Sequence, residues 1–256
     1  MAIALLFVSN AIGQSVPKKS QASLDDGLIS ARVMMSAEEQ ADFGAVGQLR
    51  RLNGGNHCTA VLVTPELVLT AAHCVADNTK KWRSDPGVLK FYAQWRDGFS
   101  PMRRGIDSFS LGFQYMQSGS PAVDIALLRL TEPIDPSVIA PIPVVEIDDM
   151  ARRRLTTMSF GYDAADGLSR QDGCRAVRGT ERIYVTNCEA VGGMSGSPVL
   201  VENQRGQFRV AAIVARRVMT ETVSTGGDNY GSAIVVGIDE LRLDLLRARL
   251  PNIPKG

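Results

Sequence analysis

The chain has 256 residues, 45% of them hydrophobic and 21% charged, with a formal net charge of +1. That length accommodates one large or two small well-buried domains, and the composition excludes a disordered or fibrous chain. The near-neutral balance provides no strong field for nucleic acid or an anionic membrane surface. The densest basic spot, Arg152-Arg153-Arg154, lacks interleaved aromatics and reads as a solvated loop.

In chain order, residues 2–13, "AIALLFVSNAIG", form a short apolar run with Ala11 and Gly13 three and one before Gln14. This is the pattern of a signal-peptide core with a small-residue cleavage site, and it is too short to span a bilayer. No Lys or Arg precedes it, so either the terminal amine serves as the basic end or the start lies upstream of Met1. An ordinary N-terminal strand is the alternative. Residues 14–40 are polar and poor in aromatics, and read as a pro-segment or loosely attached arm.

Short apolar runs divided by Gly, Pro, Asn and Asp follow: "AVGQLRRL", "TAVLVT", "LVLTAA", "VLKFYAQW", "DIALLRL", "TTMSFGY", "ERIYVTN", "SPVLVE", "FRVAAIVARRV" and "SAIVVGI". Their lengths and β-branched content predict an all-β barrel or sandwich. Prolines 133, 136, 141 and 143 mark a connector between two halves. The run "IDELRLDLLRARL" predicts a C-terminal helix docking through Ile238, Leu241, Leu245 and Leu246. Neither an internal repeat nor a later membrane span is apparent.

The four cysteines, 58, 74, 174 and 188, fall into two local pairs with no C-x-x-C spacing. Two bridges, Cys58–Cys74 and Cys174–Cys188, fit this grouping and an oxidising compartment. Four buried thiols in a cytosolic protein are the competing reading. With only two histidines, a zinc site would need an unusual ligand set, and no metal or cofactor is expected.

Three strings carry chemistry: "LTAAHC" around His73, "DIALLRL" opening at Asp124, and "GGMSGSPV" around Ser195. A serine hydroxyl needs a base to become a nucleophile, and an imidazole suits that role near neutral pH. The imidazole in turn needs a carboxylate to fix its tautomer and stabilise its protonated form. Gly193 and Gly196 flank Ser195 and permit a sharp turn with exposed backbone N–H groups. An α/β-hydrolase order is excluded, because no histidine follows residue 73 and Ser197 replaces the last glycine of G-x-S-x-G. His57 reads as a structural or surface residue in a Gly-Asn-rich turn.

With "TAAHC", "DIALL" and "SGSP" in that order, the chain resembles the trypsin/chymotrypsin-like serine proteases over roughly residues 43–246. "SFGY" and the hairpin from Cys174 to Cys188 look closest to the bacterial secreted glutamyl-endopeptidase-like branch. The resemblance implies two six-stranded antiparallel β-barrels, in residues 41–140 and 141–256, the second ending in the helix. It implies a secreted or periplasmic monomer acting on peptide or protein substrates. His73 would be the base, Asp124 its orienting acid and Ser195 the nucleophile, with an oxyanion hole from the N–H groups of Gly193 and Ser195. Cys58 and Cys74 match the family's bridge beside the histidine loop.

The match departs from digestive trypsins in two places. Met194 stands where those enzymes hold an aspartate that pairs with a processed N-terminus, although the bond before Val33 resembles an activation site. A thioether cannot make that ion pair, so another arrangement must set the site. Glu189 lies where trypsins bind a basic P1 residue, while Ala215, Arg216 and Arg217 replace the usual wall beside it. Read literally, Glu189 implies cleavage after Lys or Arg. The arginines would instead neutralise it or favour an acidic P1 residue, and all could equally be solvated loop groups. A catalytically silent homologue acting as a binding module is the competing function. A PDZ-bearing quality-control protease is not expected, since only "RLPNIPKG" follows the helix.

Overall fold

The computed structural model describes residues 32–52, 57–77, 79, 81–161, 167–180, 182–218 and 231–251. The expected leader (residues 1–13), most of the 14–40 arm and the Gly-Asn turn before His57 lie outside them.

The described chain starts with β1 (Val33–Met34) and α1 (Ala37–Ala41). Ser36 and Glu39 form a reciprocal capping box that starts α1. This last part of the predicted arm is not loose: β1 pairs antiparallel with a strand of the second sheet, Val33 opposite Arg170. Buried Gln40 donates to the Trp95 carbonyl at 2.6 Å and accepts from Leu168 N–H at 3.2 Å, tying the segment to both halves.

Strands β2 (Val46–Arg51), β3 (Cys58–Thr64) and β4 (Leu67–Thr70) follow, then a small hairpin of β5 (Ala76–Asp77) and β6 (Trp82–Arg83). Next come β7 (Leu89–Ala93), β8 (Met102–Leu111), α2 (Tyr115–Ser118) and β9 (Ala126–Leu130). The order β2-β3-β4-β9-β8-β7 closes into a six-stranded barrel whose strands are buried on both faces: Leu62 and Leu128 share one face, Leu69 and Leu127 the other. β8 escapes the apolar-run pattern because its buried positions include Ser108 and Ser110 as well as Ile106. Small hydroxyls suffice there: Ser110 donates to the Leu246 carbonyl at 2.7 Å, under the terminal helix.

The proline-rich connector is stitched to both halves. Ile134 N–H donates to Pro65 O and Ile142 N–H to Leu62 O in the first barrel. Val145 N–H donates to Val210 O, and Val210 N–H to Pro143 O, in the second.

The second half contains β10 (Leu155–Ser159), β11 (Ser169–Cys174), β12 (Ala176–Arg178), β13 (Ile183–Ala190), β14 (Pro198–Glu202), β15 (Phe208–Val218) and β16 (Gly231–Gly237). With β1 they form one eight-stranded sheet, ordered β1-β11-β10-β14-β15-β16-β13-β12. The all-β, chymotrypsin-like class holds, but this half is a half-barrel instead of a closed six-stranded ring. Where a backbone ladder would close it, the Gln171 side chain on β11 accepts from Glu189 N–H on β13 at 2.8 Å.

Helix α3 (Glu240–Ala248) closes the described chain, with Asp239 capping Arg242 N–H at 2.6 Å. Its docking face differs from the predicted one. Leu243, Leu246 and Leu250 are buried with Ile238, whereas Leu241 is 71% and Leu245 51% exposed. The run carries two leucine stripes, and contact with β8 and β9 selects the 243/246/250 stripe. No helix among the described residues is long and apolar enough to cross a membrane.

Candidate active site

His73 sits in a 3₁₀ turn, Ala72–Cys74, immediately after β4. Asp124 ends a second 3₁₀ turn, Pro121–Val123, which Ser120 caps by accepting from Ala122 N–H. The carboxylate therefore lies two residues ahead of β9, not within the strand as the run "DIALLRL" suggests. It is 1% exposed and engages His73 twice. Oδ1 accepts the His73 backbone N–H at 2.9 Å, and Oδ2 faces Nδ1 at 2.8 Å. Two hydrogen bonds from one partner offset the cost of burying this charge. With Nδ1 as donor, the neutral ring carries its lone pair on Nε2, as a general base requires.

The Ser195 turn is clamped to the histidine loop through β3. Thr59 N–H donates to Ser195 O at 2.9 Å, and Thr59 Oγ1 donates to Gly193 O at 3.0 Å. From the other side, Gly196 N–H donates to Val214 O and Val214 N–H to Ser197 O. Gly193 and Gly196 adopt φ of +91° and +81°, conformations that favour glycine. At Gly196 space is equally restrictive: a Cβ would lie 2.1 Å from Thr70 Oγ1 and 2.3 Å from Thr59 O. Among the described residues, no protein acceptor takes the N–H of Gly193 or of Ser195.

Met194 is fully buried, and its sulfur accepts Val191 N–H at 3.3 Å while its own N–H returns to Val191 O. The thioether thus helps set the turn before Gly193 from within, in place of a buried carboxylate.

Both expected disulfides form. Cys58–Cys74 joins β3, next to Thr59, to the residue after His73; Cys174–Cys188 joins β11 to β13. The sulfurs of Cys58 and Cys74 lie near the His73 ring but are bonded to each other, so they offer no thiolate to a metal. The other histidine plays a different part. His57 is buried, and its Nε2 donates to Phe160 O at 2.7 Å; burial pushes its pKa below the ordinary imidazole value.

The residues read from the sequence as a specificity wall fall on two strands. Glu189, half-buried on β13, makes no ion pair with Arg216 or Arg217 among the described residues. Ala215 is buried at a register shift in β15, between Val214 and Arg216. Such a bulge re-aims the following side chains, and Arg216 and Arg217 are both exposed beyond it.

A cleft of about 610 Å³ opens beside His73, lined by Arg51, Ala76, Asp77, Trp82, Tyr115 and Arg216. Of these, sequence reasoning singled out only His73 and Arg216. Tyr115 is buried, and its phenol pKa is pushed far up, first by burial and then by the nearby Asp124 charge. No local motif marks Arg51, Trp82 or Tyr115; only the barrel's closure brings them to the histidine.

The family model described as "Trypsin-like peptidase domain" matches residues 58–213. The chain belongs to the trypsin-like peptidase family. Among solved structures, a Glu endopeptidase superposes with a TM-score of 0.68 at 16% identity, over 83% of this chain and 93% of that one. Protease Anisep from Arthrobacter nicotinovorans gives 0.62 at 15% identity, over 81% and 93%. A thermostable serine protease from an extremophilic microorganism gives 0.61 at 16%, over 77% and 92%. At these identities the likeness is one of fold. No curated protein matches this peptidase in sequence.

Proposed function

We propose that this peptidase is an exported serine endopeptidase working through a Ser-His-Asp triad and an acyl-enzyme. The Ser195 hydroxyl attacks the scissile carbonyl carbon while His73 Nε2 takes its proton. Asp124 holds the imidazolium, and the N–H groups of Gly193 and Ser195 receive the oxyanion. His73 then returns the proton to the leaving amine as the C–N bond breaks. Water, deprotonated by His73, releases the acyl group and restores the serine.

The observation that carries this reading is the two-point hold of buried Asp124 on His73. The Thr59 clamp on the Ser195 turn supports it. Two disulfides in a chain without free cysteines among the described residues support an oxidising, extracytoplasmic location. The test is hydrolysis of an unstructured protein such as casein by the purified chain, beside Ser195→Ala and His73→Ala. Loss of cleavage in both variants is expected. A folded wild-type chain that cleaves no peptide in a diverse library would favour the silent binding module instead.

A further inference from the structure

The cleft beside His73 carries two guanidinium groups that no carboxylate of the fold neutralises. Arg51, at the end of β2, is half-buried, with its guanidinium 4.2 Å from the centre of the Trp82 ring. Burial lowers its pKa, the signature of a cation drawn from water without a compensating anion. Arg216 enters the same cleft from β15. Among the described residues, neither arginine has a carboxylate or hydrogen-bond partner. The one lining carboxylate, Asp77, is turned into its own loop, where Oδ1 accepts from Thr79 N–H at 2.9 Å and from Thr79 Oγ1 at 2.6 Å. A half-buried arginine without an anionic partner is costly to keep, and a bidentate anion such as a carboxylate matches its planar fork.

We propose that this cleft is a subsite for an acidic substrate side chain flanking the scissile bond, bound by Arg51 and Arg216. The inference rests on the peptidase reading above. The Trp82 and Tyr115 rings supply apolar walls for the methylene stem of such a side chain, so glutamate fits better than aspartate. The residue whose carbonyl is attacked must lie against the Ser195 turn, and neither Ser195, Glu189 nor Ala215 lines this cleft. The acidic side chain therefore belongs to a neighbouring substrate position, not to P1.

The test compares kcat/KM for peptides carrying Glu or the neutral isostere Gln at each position around the cleaved bond. Wild type is expected to favour Glu about tenfold at one position other than P1, the scale of a charge-assisted hydrogen bond. Arg51→Gln and Arg216→Gln should each bring that ratio toward one, Arg51→Lys should restore part of it, and added salt should weaken it. Fluorophosphonate labelling of the same variants reports that the fold survives each substitution. A ratio near one at every flanking position, a preference confined to P1, or a preference that survives both substitutions would overturn the proposal. In a second arm, the fluorescent Glu peptide is titrated against Ser195→Ala protein by anisotropy. Arginine-dependent binding without any wild-type hydrolysis would uphold the cleft and reject the peptidase reading. Hydrolysis without a flanking Glu preference would do the reverse.

Discussion

Replacing Gly196 with alanine probes how the Ser195 turn is fitted to the histidine loop. At φ +81° a Cβ costs about 1–2 kcal/mol in backbone strain alone. The added methyl would also sit 2.1 Å from Thr70 Oγ1 and 2.3 Å from Thr59 O, against roughly 3.5 Å for ordinary contact. Neither neighbour can swing aside: both residues are fully buried, and Thr70 Oγ1 itself donates to Thr59 O at 2.8 Å. The turn must therefore back away by about an ångström, adding roughly 1–3 kcal/mol of overpacking strain. Together these predict a loss of about 2–5 kcal/mol, or a drop of roughly 5–15 °C in Tm for a chain of this size. Displacing Ser195 from His73 by that much should lower kcat/KM by about a hundredfold. Thermal melts and hydrolysis of a fluorogenic peptide measure both. A Gly196→Ala protein within about 2 °C of wild-type Tm and about threefold of its kcat/KM would refute the close fit.

The two histidines should separate cleanly. His73→Ala should abolish peptide hydrolysis, whereas folded His57→Ala should keep most of it and lose about 1–3 kcal/mol, because Phe160 O is left buried without a donor. Comparable losses of turnover in both would overturn the assignment. Because burial depresses the His57 pKa, the unfolded chain binds its proton first. Its stabilisation is complete above the unfolded value of about 6.5 and declines as pH falls through that value toward the lowered folded one. Melts from pH 8 to 5 should therefore fall more steeply in wild type than in His57→Gln, and parallel slopes would contradict it. Replacing either cystine pair by alanines should cost about 3 kcal/mol in denaturant titrations. Only loss of Cys58–Cys74, which links the Thr59 clamp to His73, should also depress kcat sharply; equal effects on turnover would count against that link. Met194→Asp should destabilise severely, since it buries a carboxylate in place of a thioether that accepts Val191 N–H. A stable, fully active aspartate variant would show that the turn does not depend on that contact.

The chemistry-bearing strings were legible because each is local. "TAAHC" holds His73, "GGMSGSP" holds the tight Ser195 turn, and Asp124 is a buried acid beside an apolar strand that needs a partner. The cysteine pairs were legible for the same reason, being close in the chain. The missed parts depend on what the fold brings together. β8 hides behind buried serines whose hydroxyls the fold satisfies, at Ser110 through the Leu246 carbonyl. The C-terminal helix offers two leucine stripes, and the surface of β8 and β9 chooses between them. The last residues of the polar arm become structure through Gln40, whose partners Trp95 and Leu168 are far away in sequence. Arg51 and Trp82 reach His73 only through the closed barrel and its β5–β6 hairpin. The second half stays an open sheet in which the side chain of Gln171, and no backbone ladder, bonds β11 to β13, a detail no strand pattern contains.

The central claim is that Ser195 is a nucleophile activated by the His73–Asp124 pair. Treating the folded chain with a fluorophosphonate probe and mapping the adduct by peptide mass spectrometry tests it most directly. One adduct on Ser195 is predicted, absent from Ser195→Ala and greatly slowed in His73→Ala. An unlabelled wild-type chain, or labelling that persists in Ser195→Ala, would contradict it.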